Sequence, residues 1–207
     1  MDIQYYGANC VRLSGKKASI VIDDNLAELG LKSVTKAGEI ALFTGPHGEA
    51  AADAKLTIDQ PGEYEVSDIS IQGIGARAHI DEGGMASTIF KITSDDIRIA
   101  VVGHVHPDIT DHQLEELGMI DVLVIPVGGN GYTLDSVGAL KLIKKIEPKL
   151  VIPTHYNDKA INYVVPQAEL DDALKNMSME PKETVAKLKV KLAELTDTTQ
   201  LVVLERQ

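Results

Sequence analysis

The run Ile97-Arg98-Ile99-Ala100-Val101-Val102 is short, β-branched and apolar, and it breaks off into Gly103-His-Val-His-Pro-Asp-Ile-Thr-Asp-His112. A run of this kind reads as a buried strand, so His104 should emerge at a strand's C-terminal end, where α/β folds place their sites. The spacing His104-x-His106-x-Asp108 has the form of a metal-ligand cluster, since imidazole and carboxylate together suit zinc, manganese or iron. Local spacing also fits a solvated loop that starts a helix over 111–117 with Thr110 as N-cap, and nothing inside the loop decides between the two.

The strand grammar extends both ways from this point. Short apolar or alternating runs at 3–6, 10–13, 18–22 and 40–43 are separated by glycine-bearing turns. Further strands are expected between 56 and 78, and 87–92 with 97–102 should form a hairpin turning over 93–96. Beyond residue 110 the pattern changes to helix 111–117, strand 122–126, helix 136–146 and strand 150–153, for which a parallel sheet is the default. A helix over 167–175, an amphipathic helix over 182–195 and a closing strand over 200–204 complete the reading. Without repeats, low-complexity tracts or a linker, the 207 residues read as one domain, 1–207.

Charge and composition narrow the partners. Asp plus Glu number 31 against 20 Lys plus Arg, a formal charge of -11, which disfavours nucleic acid or an anionic membrane and leaves a small-molecule ligand or substrate. The oligomeric state is not readable. The one cysteine, Cys10, excludes an internal disulfide, and with no signal-peptide pattern the chain reads as cytoplasmic. With no tryptophan and few aromatics, the core must be built from Ile, Val, Leu and Ala.

Four of the six histidines, His47, His79, His104 and His155, each fall within a few residues after an expected strand. Strands of packed sheets can deliver their ends to one rim, where side chains distant in sequence meet. Convergence of these four is therefore the testable content.

In order and spacing the chain resembles the metallo-beta-lactamase fold hydrolases, in particular the small bacterial branch related to the ascorbate-phosphate lactonases. The residues that carry the resemblance are Val21-Ile22-Asp23-Asp24, Pro61-Gly62-Glu63-Tyr64-Glu65, the segment 117–129, Tyr132-Thr133-Leu134-Asp135 and Glu147 to Tyr156. It implies an α/β (α+β) fold, a four-layer αβ/βα sandwich with a metal site on one rim. The family's His-x-His-x-Asp-His turn falls on Gly45-Pro46-His47-Gly48-Glu49-Ala50, which keeps only His47, and the aspartate that bridges two metals falls on His104. His79 and His155 match the remaining ligands, whereas His106 and His112 match none. The resemblance thus implies an eroded metal motif with two readings. One is a metal-free or weakly metal-binding protein that holds a ligand or partner. The other is a mononuclear hydrolase of an ester, lactone or phosphoester, with His47, His79 and His104 on one zinc, manganese or iron ion, Glu49 as general base and His155 orienting the oxyanion.

Overall fold

The computed structural model describes residues 1–48, 54–80 and 83–207. Two mixed sheets face each other. The first has the order β13-β1-β2-β3-β4-β5, built from β1 (Asp2–Gly7), β2 (Cys10–Ser14), β3 (Ser19–Ile22), β4 (Ile40–Leu42), β5 (Leu56–Ile58) and β13 (Leu188–Lys189). The second, of order β12-β14-β11-β10-β9-β8-β7-β6, takes β6 (Gly62–Val66), β7 (Ile69–Ala76), β8 (Ser87–Ser94), β9 (Ile97–Val101), β10 (Val122–Pro126), β11 (Leu150–Thr154), β12 (Glu183–Val185) and β14 (Gln200–Leu204). Strands β9, β10, β11, β14 and β12 run parallel, while β6 to β9 form an antiparallel meander.

The apolar runs explain the layers. Ile3, Leu13, Ile20 and Ile40 of the first sheet meet Ile71, Phe90, Ile99 and Ile152 of the second in one continuous core. The opposite face of the second sheet, with Leu123, Ile125 and Val151, is covered by three helices, α1 (Asp111–Leu117), α2 (Ser136–Ile146) and α3 (Leu170–Met177). Each central parallel strand is therefore buried on both faces, which is why β10 and β11 are apolar at almost every position. The outer face of the first sheet is covered more thinly. Cys10 and Val21 pack there against Leu26 of a 3-10 turn, Leu26–Leu29, so among the described residues the fourth layer is that turn and its flanking chain.

Local chemistry sets the element ends as the sequence predicts. Thr110 caps α1 in a capping box with Gln113, and Asp135 caps α2 by accepting from Gly138 N at 2.7 Å. The hairpin between β8 and β9 turns on Asp95 and Asp96, both at positive φ, in the twist that such two-residue turns require.

The amphipathic helix expected over 182–195 does not form. Those residues make β12, β13 and a 3-10 turn at Leu192–Glu194. Val185, Leu188 and Leu195 fit an extended chain as well as a helix, and Thr184, Val185 and Val190 are β-branched. Tertiary pairing decides: β12 joins β14 in one sheet and β13 joins β1 in the other, so the segment straps the two sheets together at one edge. The third helix begins at Leu170, after an extended 167–169. No described helix is long and apolar enough to cross a membrane.

At the edge where β9, β10 and β11 begin, Asp121 is fully buried. Its carboxylate accepts from Arg98 Nε at 2.8 Å, from Arg98 Nη2 at 2.9 Å and from Arg98 N at 3.0 Å, while its own backbone binds Arg98 O and Leu150 N. Burial pushes this carboxyl up, but the bonds from Arg98 more than offset it and hold the pKa below the usual carboxylate value. Breaking a buried, hydrogen-bonded ion pair typically costs about 3–5 kcal/mol. Asp121→Ala should therefore lose stability of about that size in urea unfolding at neutral pH. Because the folded pKa is depressed, the contribution of Asp121 is present above the unfolded value and is lost as pH falls through the folded one, so the gap between wild type and variant should narrow in strong acid.

Candidate functional site

The other ends of these strands build a rim. His104 follows β9, the loop 127–133 follows β10, and His155 follows β11. From the facing sheet come Asn9 in the turn between β1 and β2, Asp23 after β3, and Thr44 to His47 after β4. Two close approaches need glycine. Gly103 turns in the left-handed region at φ 54, and a Cβ there would overlap Thr44 Oγ1. A side chain on Gly128 would overlap His155 O and Gln167 Oε1.

A directed chain of hydrogen bonds runs through the rim. Gln167 Nε2 donates to Val165 O at 2.8 Å, so Gln167 Oε1 is the atom facing His155 Nδ1 at 3.1 Å, and that nitrogen carries the proton. His155 Nε2 is then a lone pair, and His104 Nε2 donates to it across 3.1 Å. His104 Nδ1 is left to accept from Asn9 Nδ2 at 3.3 Å, and Asn9 Oδ1 accepts from Thr154 Oγ1 at 3.0 Å. Every ring nitrogen of the pair is used. Burial pushes the pKa of His104 down to about 3, with further help from His155 and His79, and burial likewise pushes His155 down to about 4 against its bond to Gln167. Both rings are neutral at pH 7.

The remaining histidines lie elsewhere. His47 stacks on Phe43 with centroids 3.8 Å apart, and its ring nitrogens face Gly48 O at 2.6 Å and Asp59 Oδ2 at 3.2 Å, so it turns away from the pair. His79 donates from Nδ1 to Gly131 O at 3.3 Å and lies beside His106, ring centroids 5.8 Å apart. His112 is on the exposed side of α1, paired with Glu116 at 3.2 Å. Glu49, the residue matched to the general base, lies outside the described residues. The structure thus joins His104 to His155 directly, keeps His79 near His104 through the bond from His79 N to His104 O at 2.7 Å, and does not bring His47 to them. Among the described residues no three His, Cys, Asp or Glu side chains converge as a metal ligand set. Two imidazoles fall short of the three protein ligands a catalytic zinc needs, so the described residues do not fit the metal centre that the resemblance implies.

His104 and His155 stand at the wall of a pocket of about 480 Å³. Tyr132 packs edge-on against His104 with centroids 5.0 Å apart, and Tyr163 lies 5.0 Å from His155. Asn9, Gln167 and these tyrosines were not singled out as site residues by the sequence. Asn9 sits in a short turn like many others, and Gln167 reads as the start of a helix. Asp23 is buried beneath the pocket, where Thr44 N and Oγ1 donate to it at 2.7 and 2.6 Å; burial outweighs those bonds and raises its pKa to about 6.

These shifts fix a pH dependence. The unfolded chain protonates its histidines near 6.5 while the folded pair stays neutral to about 3–4, so below 6.5 the unfolded state binds more protons and stability falls with acidification. Asp23 works in the opposite direction between about 4 and 6, because its folded pKa is raised. Two groups against one leaves a net loss of about 1.4 kcal/mol per pH unit in that window from these three residues. Urea unfolding between pH 7 and 5 should show the decline, and imidazole carbon shifts should show both rings neutral at pH 5. A ring at either position titrating near 6.5 would overturn the hydrogen-bond assignment.

Comparison with known proteins agrees with the fold. A Thermotoga maritima protein of the metallo-beta-lactamase superfamily superposes with a TM-score of 0.80 at 24% identity, covering 100% of this chain and 99% of the other. A Thermoplasma volcanium relative named UPF0173 metal-dependent hydrolase is 28% identical over 76% of this chain and 85% of its own length. A Carboxydothermus hydrogenoformans protein of the same name is 46% identical, but the match spans only 21% of this chain and 19% of that protein. The model of the beta-lactamase superfamily domain matches residues 2–155, and the chain belongs to that superfamily.

Proposed function

We propose that the rim pocket binds a small molecule through this chain's own side chains, without a tightly held metal. The observation that carries this reading is the hydrogen-bond chain from Thr154 to Gln167, which consumes both lone pairs and both protons of the His104 and His155 rings. A metal entering there has to displace an imidazole bond that is already satisfied, and it gains two neutral ligands where its relatives' fold ordinarily supplies a bridging carboxylate. The pocket volume lies within the range of small-molecule sites, and its aromatic wall with a few fixed polar groups matches their usual composition. A small-molecule ligand agrees with the hydrolase names of the relatives and with the acidic charge of the chain.

A second reading, a mononuclear metal-dependent hydrolase, has one observation in its favour. The 3.1 Å between His104 Nε2 and His155 Nε2 is close to the edge of a tetrahedral zinc site, where two nitrogens at about 2.0–2.1 Å from the ion are ~3.3 Å apart. On that reading His79 would have to move in to complete the set, with His47 as the further candidate and Glu49 as general base.

Metal analysis of tag-free protein separates the two. After equilibration with zinc and dialysis against a mild chelator, the protein should retain well under one ion per chain, and its thermal unfolding should be the same before and after chelation. One ion per chain, abolished by His104→Ala, would establish the mononuclear site and overturn the first reading. Gln167→Leu provides an independent check on the hydrogen-bond chain. It strands the Nδ1 proton of His155 and should cost about 1–3 kcal/mol of stability in urea unfolding.

A further inference from the structure

We infer that the ligand of this pocket is an organic cation, a quaternary or protonated amine carried on a compact apolar group, and not a phosphorylated or carboxylated anion. The inference rests on the pocket being a small-molecule site, as proposed above, and adds the class of molecule.

The charge of the lining is one-sided. None of the described lining residues is lysine or arginine, whereas Asp23 and Glu28 both contribute carboxylates. The stretches 49–53 and 81–82, Glu-Ala-Ala-Ala-Asp and Asp-Glu, bring no basic residue from any placement. The two imidazoles of the wall have their ring protons committed to one another and to Gln167. An anion entering this space would lose its hydration and find no cation and no free imidazole proton in return. Anion sites are ordinarily built from arginine forks, lysines or a glycine-rich helix N-terminus.

A cation, by contrast, finds what it needs. Tyr132 and Tyr163 flank the imidazoles, and aromatic faces attract cations electrostatically, more strongly once water is displaced. Glu28 is exposed at the mouth, on the 3-10 turn that covers the first sheet, and its carboxylate lies directly against Gly48 of the facing turn. Asp23 also lines the pocket, its two oxygens each accepting one bond from Thr44. A hydroxyl also waits inside: Ser87 lines the pocket, is only 2% exposed, and its Oγ has no hydrogen-bond partner among the described residues. A buried hydroxyl left unpaired is costly, and a polar group on the ligand would satisfy it. The apolar remainder, Leu29, Ala78, Ile80 and Val164, suits the hydrocarbon body of such a molecule.

The test uses three probes of similar size on chelator-treated full-length protein at fixed ionic strength: benzyltrimethylammonium, benzyl alcohol and phenyl phosphate. Titration calorimetry should rank the ammonium first, at least about tenfold tighter than the phosphate, with the alcohol between them. Glu28→Gln, a surface change, and Tyr163→Leu should each weaken the ammonium by about three- to tenfold, while Tyr163→Phe, which keeps the ring, should not. Phosphate binding as tightly as the ammonium would overturn the inference and leave the metal-free pocket standing. So would an ammonium affinity indifferent to both Glu28→Gln and Tyr163→Leu, or failure of all three probes to bind. Binding of any probe that appears only when zinc is restored would instead overturn the metal-free reading itself.

Discussion

Everything at the functional end depends on how the two sheets are held together along one rim. Ala8 and His155 both sit at positive φ, 47 and 52, and a backbone bond of 2.7 Å from His155 N to Ala8 O joins the two turns. Neither is glycine, so each conformation carries strain that the surrounding structure has to hold in place. Asn9 completes the clasp: from the first sheet it reaches Thr154 and His104 of the second. Asn9 therefore reports the registration of the sheets, since His104 and His155 both belong to the second. A shift of one sheet along the other would break the bonds of Asn9 before it disturbed the apolar core, because dispersion contacts tolerate small slips and hydrogen bonds do not.

The two edges of the parallel strands divide the work. Where β9 to β11 begin, Asp121 and Arg98 form a buried ion pair that contributes stability. Where they end, the same strands deliver His104, the glycine loop and His155 to a pocket whose polar groups are linked to one another. This division follows from parallel packing. All strands of such a block present carboxyl ends on one side, where loops can vary without disturbing the sheet.

Superfamily membership and the local chemistry address different questions. The fold is held by alternating apolar runs and a double layer of sheets, whose hydrophobic clusters do not include His104 or His155. Ligands on the rim can therefore be exchanged with little cost to the core, since a fold does not by itself fix the chemistry of its sites. On the metal-free reading proposed above, Gly45 and His104 are such exchanges. At Gly45 the position of a family ligand has no side chain, and at His104 an imidazole stands where an anionic bridge is expected, bonded to another imidazole.

Strand runs, helix caps and the aspartate hairpin turn were legible in the sequence because each depends on residues within a few positions. Thr110 with Gln113, and Asp135 with Gly138, carry their partners beside them. The segment 182–195 was not legible, since its apolar spacing suits a helix or an extended strap and only pairing with β1 and β14 chooses between them. The candidate site divides in the same way. The sequence by itself determined that histidines follow strands and that the core is aliphatic. Only the tertiary structure decided which histidines meet. His104 and His155, 51 residues apart, share a hydrogen bond, while His47 turns to Asp59, because the meeting of side chains depends on sheet order and turn geometry, which no local spacing encodes.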